Sequence, residues 1–101
     1  MVQKIEWTNR ALKDLHDIYE FIAKDSSRYA QIQIENIQDA ASNLYSFPLI
    51  GRKVPEFPHL SYREILVGNY RFIYRYDDKY NQIFVMAIVH GKRLLKEQSL
   101  G

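Results

Sequence analysis

The sequence predicts an α+β domain of order β-α-α-β-β-β, in which a two-helix hairpin packs on one face of a mainly antiparallel four-stranded sheet. Three observations lead there: two apolar stripes at helical spacing in the first half, strand-like runs in the second, and between them a short segment holding all three prolines. A length of 101 residues suits one domain, 1–101, with a single core.

The elements follow in order. "VQKIEW" alternates, with Ile5 and Trp7 on one side and Lys4 and Glu6 on the other, and reads as a first strand. Thr8 can cap the helix that follows, because its hydroxyl accepts from the free N–H groups of a first turn. Ala11, Leu12, Leu15, Ile18, Tyr19 and Ile22 form that helix's apolar stripe. "KDSS", Lys24 to Ser27, breaks the pattern and supplies caps for a second helix with the stripe Ala30, Ile34, Ile37, Ala41 and Leu44. Pro48 ends it at or before Phe47. Residues 48–60 read as an ordered but irregular loop pinned by Leu49, Ile50, Val54, Phe57 and Leu60, with Arg52, Lys53, Glu56 and His59 facing outward. Three strands are expected at about 61–67, 70–77 and 82–90, joined by a two-residue Gly68-Asn69 turn and by "DDKYN". The first strand fits on either side of this meander.

Charge is split along the chain. Residues 1–51 carry 5 Lys+Arg against 7 Asp+Glu, and residues 52–101 carry 9 against 5, so the halves stand at −2 and +4. The basic half suggests an anionic partner. With no cysteine, disulfides, thiolate metal sites and a Cys nucleophile are excluded. No stretch has signal-peptide or membrane-spanning character, so a cytoplasmic protein without membrane association is expected.

The hairpin "YREILVGNYRFIYRY" places three arginines on a sheet. If Gly68-Asn69 is the turn, residues whose numbers sum to 137 lie opposite each other. Val67/Tyr70, Ile65/Phe72 and Arg63/Tyr74 then share the helix-facing side. Leu66/Arg71, Glu64/Ile73 and Tyr62/Arg75 share the other, with Glu64 within reach of both Arg71 and Arg75. A solvated charge network there would contribute about 0–1 kcal/mol per pair. The alternative is an open, basic, aromatic-edged platform for phosphate, which a bulge could extend to Arg63. The third strand, "QIFVMAIVHGKR", is apolar on both faces and ends in His90, Gly91, Lys92 and Arg93.

No HExxH, Gly-rich phosphate loop or GxSxG is present, and three scattered histidines offer no ligand spacing, so neither metal nor cofactor is expected. Chemistry would then need Glu56 or His90 for proton transfer, with arginines gripping a phosphodiester while a ribose 2′-OH attacks.

Four pieces in order, "RALKDLHDIYEFI", "FPLIGRKVPEF", "YREILVGNYRFIYRY" and "VMAIVHGKR", resemble the RelE/ParE toxins of bacterial type II toxin–antitoxin systems. The family's pattern falls on Pro48, Gly51, Arg52, Pro55, Glu56, Arg63, Glu64, Tyr70, Arg71, His90, Gly91 and Arg93. The resemblance implies a cytoplasmic toxin neutralised by a cognate antitoxin, with operator DNA bound only through that antitoxin. RelE-like members cut mRNA on the ribosome, and on that reading Glu56 is the base, Arg71 and Arg93 the phosphate and transition-state groups, and His90 an acid. ParE-like members inhibit DNA gyrase and are not nucleases. "LLKEQSLG" lacks the tyrosine that ribonuclease members often carry beyond Arg93, and the His-Gly-Lys-Arg ending resembles the ParE side, so gyrase inhibition is favoured with mRNA cleavage as the alternative. Arg52, Lys53, Arg63, Arg75 and Lys92 are the candidate binding cations.

Overall fold

The computed structural model describes residues 1–100. Its elements are β1 (Lys4–Trp7), α1 (Asn9–Ala23), α2 (Ser27–Asn43), β2 (Arg52–Lys53), β3 (Tyr62–Val67), β4 (Tyr70–Asp77) and β5 (Gln82–His90), followed by a 3₁₀ turn at Glu97–Ser99. The sheet has five strands, not four, in the order β1-β5-β4-β3-β2. The extra strand comes from the proline-bearing loop. Arg52 and Lys53 pair antiparallel with Glu64 and Arg63 because Gly51, lacking a side chain, lets the backbone close on β3. A Cβ on Gly51 would lie 2.8 Å from the Glu64 carbonyl and from the Tyr74 ring, whose hydroxyl accepts the Gly51 N–H at 2.9 Å.

β1 joins the far side of the meander, parallel to β5. Both helix caps form as expected: Thr8 Oγ1 accepts from Ala11 N–H and Ser26 Oγ from Tyr29 N–H, each at 3.1 Å. The hairpin register has Tyr62 opposite Arg75 and Val67 opposite Tyr70. Of the two turn residues only Gly68 has positive φ, at 59°, which a type II′ turn requires at its first position.

The helices cover one face of the sheet. Ala11, Ile18, Ile37, Ala41 and Leu44 pack there on Phe72, Tyr74, Ile83, Val85 and Ile88. Gln33 is buried beside them and donates to the Val67 carbonyl at the hairpin's end. A bulge between β4 and β5 explains why β5 is apolar on both sides. Ile73 lies opposite Ala87 but Tyr74 opposite Val85, so Met86 is unopposed and the alternation reverses. Ile83 and Val85 therefore face the helices before the bulge, whereas Ala87 and Val89 face away after it.

The opposite face is not open. Val54 and Phe57 from the β2–β3 connection, with Leu95 and Leu100 from the C-terminal segment, bury Ile73, Ala87 and Val89 in a second apolar cluster. The free platform expected for the arginines is thus overlaid by the protein's own loop and tail. Among the described residues no helix is long and apolar enough to cross a membrane.

Candidate functional site

The first core positions the upper ends of β4 and β5, and the second holds the β2–β3 connection and the C-terminal segment beside them. Between these elements lies a cleft of about 520 Å³ whose lining includes Arg52, Glu56, Leu66, Tyr70, Arg71, His90, Lys92 and Arg93. All four candidate catalytic residues therefore meet in one place, joined by two of the binding cations. Lys53, Arg63 and Arg75 lie elsewhere. Lys53 is exposed on the short edge strand. Arg63 donates to the Gly51 carbonyl at 2.8 Å and stays beside Tyr74, since the bulge falls in β4/β5 rather than in the hairpin. Arg75 lies 4.8 Å above the Phe84 ring. His16 and His59 are exposed.

Arg71 is 5% exposed and Glu64 1%, so the network on this face is buried rather than solvated. Its geometry uses every N–H of the guanidinium. Nε donates to Glu64 Oε1 at 2.9 Å; Nη1 donates to Glu56 Oε2 at 2.7 Å and to the Arg93 carbonyl at 3.0 Å; Nη2 donates to Glu56 Oε1 at 2.7 Å and to Glu64 Oε1. An arginine has five such hydrogens, so Arg71 has none left for a ligand. Glu64 Oε2 accepts from Arg52, whose side chain is otherwise largely in water. Glu56 Oε2 also accepts the Leu95 N–H at 2.9 Å, which ties the C-terminal segment to the network.

The electrostatic consequences are directional. Hydrogen bonding to Arg71, aided by the Leu95 N–H against the cost of desolvation, holds the Glu56 carboxyl down at about 2, against an ordinary 4.5. The same contact with Glu56, then those with Glu64, push the Arg71 guanidinium further into its charged form. Burial raises the Tyr70 hydroxyl, which lies on the cleft wall. The His90 ring stands edge-on to Tyr70 at 5.9 Å, and its Nδ1 accepts the Lys92 N–H at 3.2 Å, leaving Nε2 as the ring's free nitrogen.

In this site Glu56 is well suited to holding Arg71 and poorly suited to accepting a proton. A carboxylate stabilised this strongly has little tendency to take a proton at neutral pH. Lys92, Arg93 and the outer side of Arg52 can still face an anionic group, and exposed Leu66 and Leu94 give the rim apolar contacts. Among the described residues no group of three or more His, Cys, Asp or Glu side chains could hold a metal ion.

The sequence placed Glu64 within reach of both Arg71 and Arg75; the structure joins it to Arg71 and to Arg52, while Arg75 lies over Phe84. The Glu56–Arg71 pair joins positions 15 apart across a loop, and no periodicity announces it. The backbone partners Arg93 C=O and Leu95 N–H had no sequence signal at all.

The model of the ParE toxin of type II toxin–antitoxin systems, parDE, matches residues 5–95. The chain belongs to this toxin family. Among solved structures, the fold is similar to the RelBE2 toxin–antitoxin complex from Mycobacterium tuberculosis, at 21% identity over 89% of this chain and 99% of that one, with a TM-score of 0.66. It is also similar to the chromosomal ParDE toxin–antitoxin system from P. aeruginosa, at 19% identity, 88% and 96% coverage and a TM-score of 0.68. The isolated E. coli RelE toxin shares 18% identity over 89% of this chain and 85% of its own, with a TM-score of 0.63. No curated protein matches by sequence. At these identities the three structures establish a shared fold, and the family match makes the chain a toxin of the type II class.

Proposed function

We propose that this RelE/ParE toxin acts in the cytoplasm by binding and inhibiting DNA gyrase, is neutralised by a cognate antitoxin, and reaches operator DNA only through that antitoxin. The observation that carries the proposal is the full occupation of Arg71. With its five donors engaged and Glu56 held as a carboxylate, the two residues best placed for ribonuclease chemistry serve instead as an internal strut. The groups left to meet a target are Lys92, Arg93 and Arg52 around the cleft. The similarity in fold to the RelBE2 toxin–antitoxin complex and to the ParDE toxin–antitoxin system supports the antitoxin as partner.

A second reading, ribosome-dependent mRNA cleavage, is favoured by the convergence of Glu56, Arg71, His90 and Arg93 on one cleft. It needs Glu56 and Arg71 to part when RNA enters.

Purified toxin, freed from its antitoxin, separates the two. The expected result is loss of gyrase supercoiling at micromolar toxin, with Arg93→Ala and Lys92→Ala weakening inhibition about tenfold each, as for charged interface contacts. Programmed ribosomes incubated with the same preparation should keep their mRNA intact. Unaffected supercoiling together with cut mRNA would overturn the gyrase assignment.

A further inference from the structure

β1 is an edge strand whose one sheet neighbour is β5. The Thr8 N–H donates to the Val85 carbonyl at 3.1 Å, and in a parallel ladder with Trp7 opposite Val85 that bond sets the parity of the strand. Glu6 and Thr8 turn their backbone groups toward β5, so the N–H and C=O groups of Ile5 and Trp7 turn outward, while at the strand's start the Gln3 N–H donates to the Asn81 carbonyl at 3.0 Å. By this parity those four groups are left without a partner on β5. Beside them, on the helix side, runs a groove of about 330 Å³ lined by Ile5, Trp7, Leu12, Leu15 and Tyr45, with Leu12 and Tyr45 exposed. On the other side, Lys4 and Glu6 form an exposed ion pair at 3.2 Å.

Charges on an edge ordinarily prevent strand addition. Here their order does the reverse for one partner, because Lys4-Ile5-Glu6 reads as cation, apolar, anion about a central residue. When a second copy runs antiparallel with Ile5 opposite Ile5, each Lys4 stands opposite a Glu6 and each Glu6 opposite a Lys4. The parity also fits, since Ile5 presents its outward N–H and C=O to the same groups of its counterpart as a hydrogen-bonded pair. The two grooves then adjoin across the dyad and shield Leu12 and Tyr45. An edge bearing one sign of charge would repel its own copy, whereas this one is self-complementary.

We propose that the chain forms a two-fold symmetric dimer by antiparallel pairing of β1 edges, independently of which target its toxin activity reaches. None of the cleft residues lies on β1, so both clefts stay open in the dimer. The contact is short and polar, below the size of a permanent interface, so association depends on concentration.

Sedimentation velocity on the full chain, from about 10 to about 500 μM, spans the range of such weak association. Wild type should rise from 12.0 kDa toward twice that mass. Lys4→Glu and Glu6→Lys each set like charges opposite one another and should weaken self-association at least about tenfold. An equimolar mixture of the two variants should recover it as a heterodimer, and the double charge swap should pair like wild type. Both side chains are exposed, so circular dichroism should show an unchanged fold. Exchange of the Ile5 amide should slow as concentration rises. A mass of 12.0 kDa throughout, or dimers that ignore both single substitutions, or a mixture no tighter than its components, would each overturn the proposal.

Discussion

Replacing Glu56 by Gln tests whether the cleft's central ion pair is the strut described above. The substitution keeps the size of the side chain but removes its charge, and it turns one of the two oxygens that grip Arg71 into an N–H₂ group. Holding the carboxyl at about 2 rather than 4.5 corresponds to roughly 3 kcal/mol of folded-state stabilisation at neutral pH. The side chain is 16% exposed at the mouth of the cleft, so solvent screening brings the expected loss to about 1–3 kcal/mol. The pH dependence carries the sharper signature. Because the folded-state value lies below the unfolded one, the stabilisation is complete above about 4.5 and is lost as pH falls toward about 2. Urea unfolding followed by Trp7 fluorescence at pH 7, 5, 4 and 3 should therefore show a gap between wild type and Glu56→Gln that is constant from pH 7 to 5 and closes below. Equal stability at pH 7, or a gap that persists undiminished to pH 2.5, would refute the account of Glu56 as the counter-charge that holds Arg71.

Three further substitutions probe other parts of the fold. Gly51→Ala should cost about 2 kcal/mol or more in equilibrium unfolding, since the new Cβ meets the Glu64 carbonyl and the Tyr74 ring at 2.8 Å and β2 must move off β3. Thr8→Ala removes both the cap on Ala11 N–H and the hydroxyl's bond to the Val85 carbonyl at 2.9 Å, so a loss of about 1–2 kcal/mol in the same assay is expected. Phe72→Ala empties a fully buried site between Trp7 and Tyr74 and should cost about 3–5 kcal/mol, read as a large drop in the urea midpoint at unchanged slope.

Local chemistry and period carried most of the fold. Thr8 and Ser26 could be named as caps because a hydroxyl before an apolar stripe has one common use, and both are caps. The hairpin register followed from Gly68, the one turn residue that adopts positive φ, since a two-residue turn leaves no freedom in the pairing of Tyr62 to Tyr76. Arg52, Glu56, Arg71, His90 and Arg93 could be nominated together, and they share a cleft. The fifth strand was not legible, because two residues of exposed, charged sequence carry no strand pattern; Arg52 and Lys53 are extended only because Gly51 allows close approach to Glu64.

The sequence by itself determined the helices and the meander, because those follow from spacings of a few positions and from turn chemistry; of the nominated cations, Lys53, Arg63 and Arg75 lie outside the cleft. Tertiary structure alone decided what the arginines do. Arg71 looked solvent-facing by strand parity, but the loop and the tail close over that face through Val54, Phe57, Leu95 and Leu100, which brings together segments distant in sequence. Once buried, a guanidinium must have all its donors met. Glu56, Glu64 and the Arg93 carbonyl meet them, which turns a residue that could have gripped a phosphate into one that holds the cleft together.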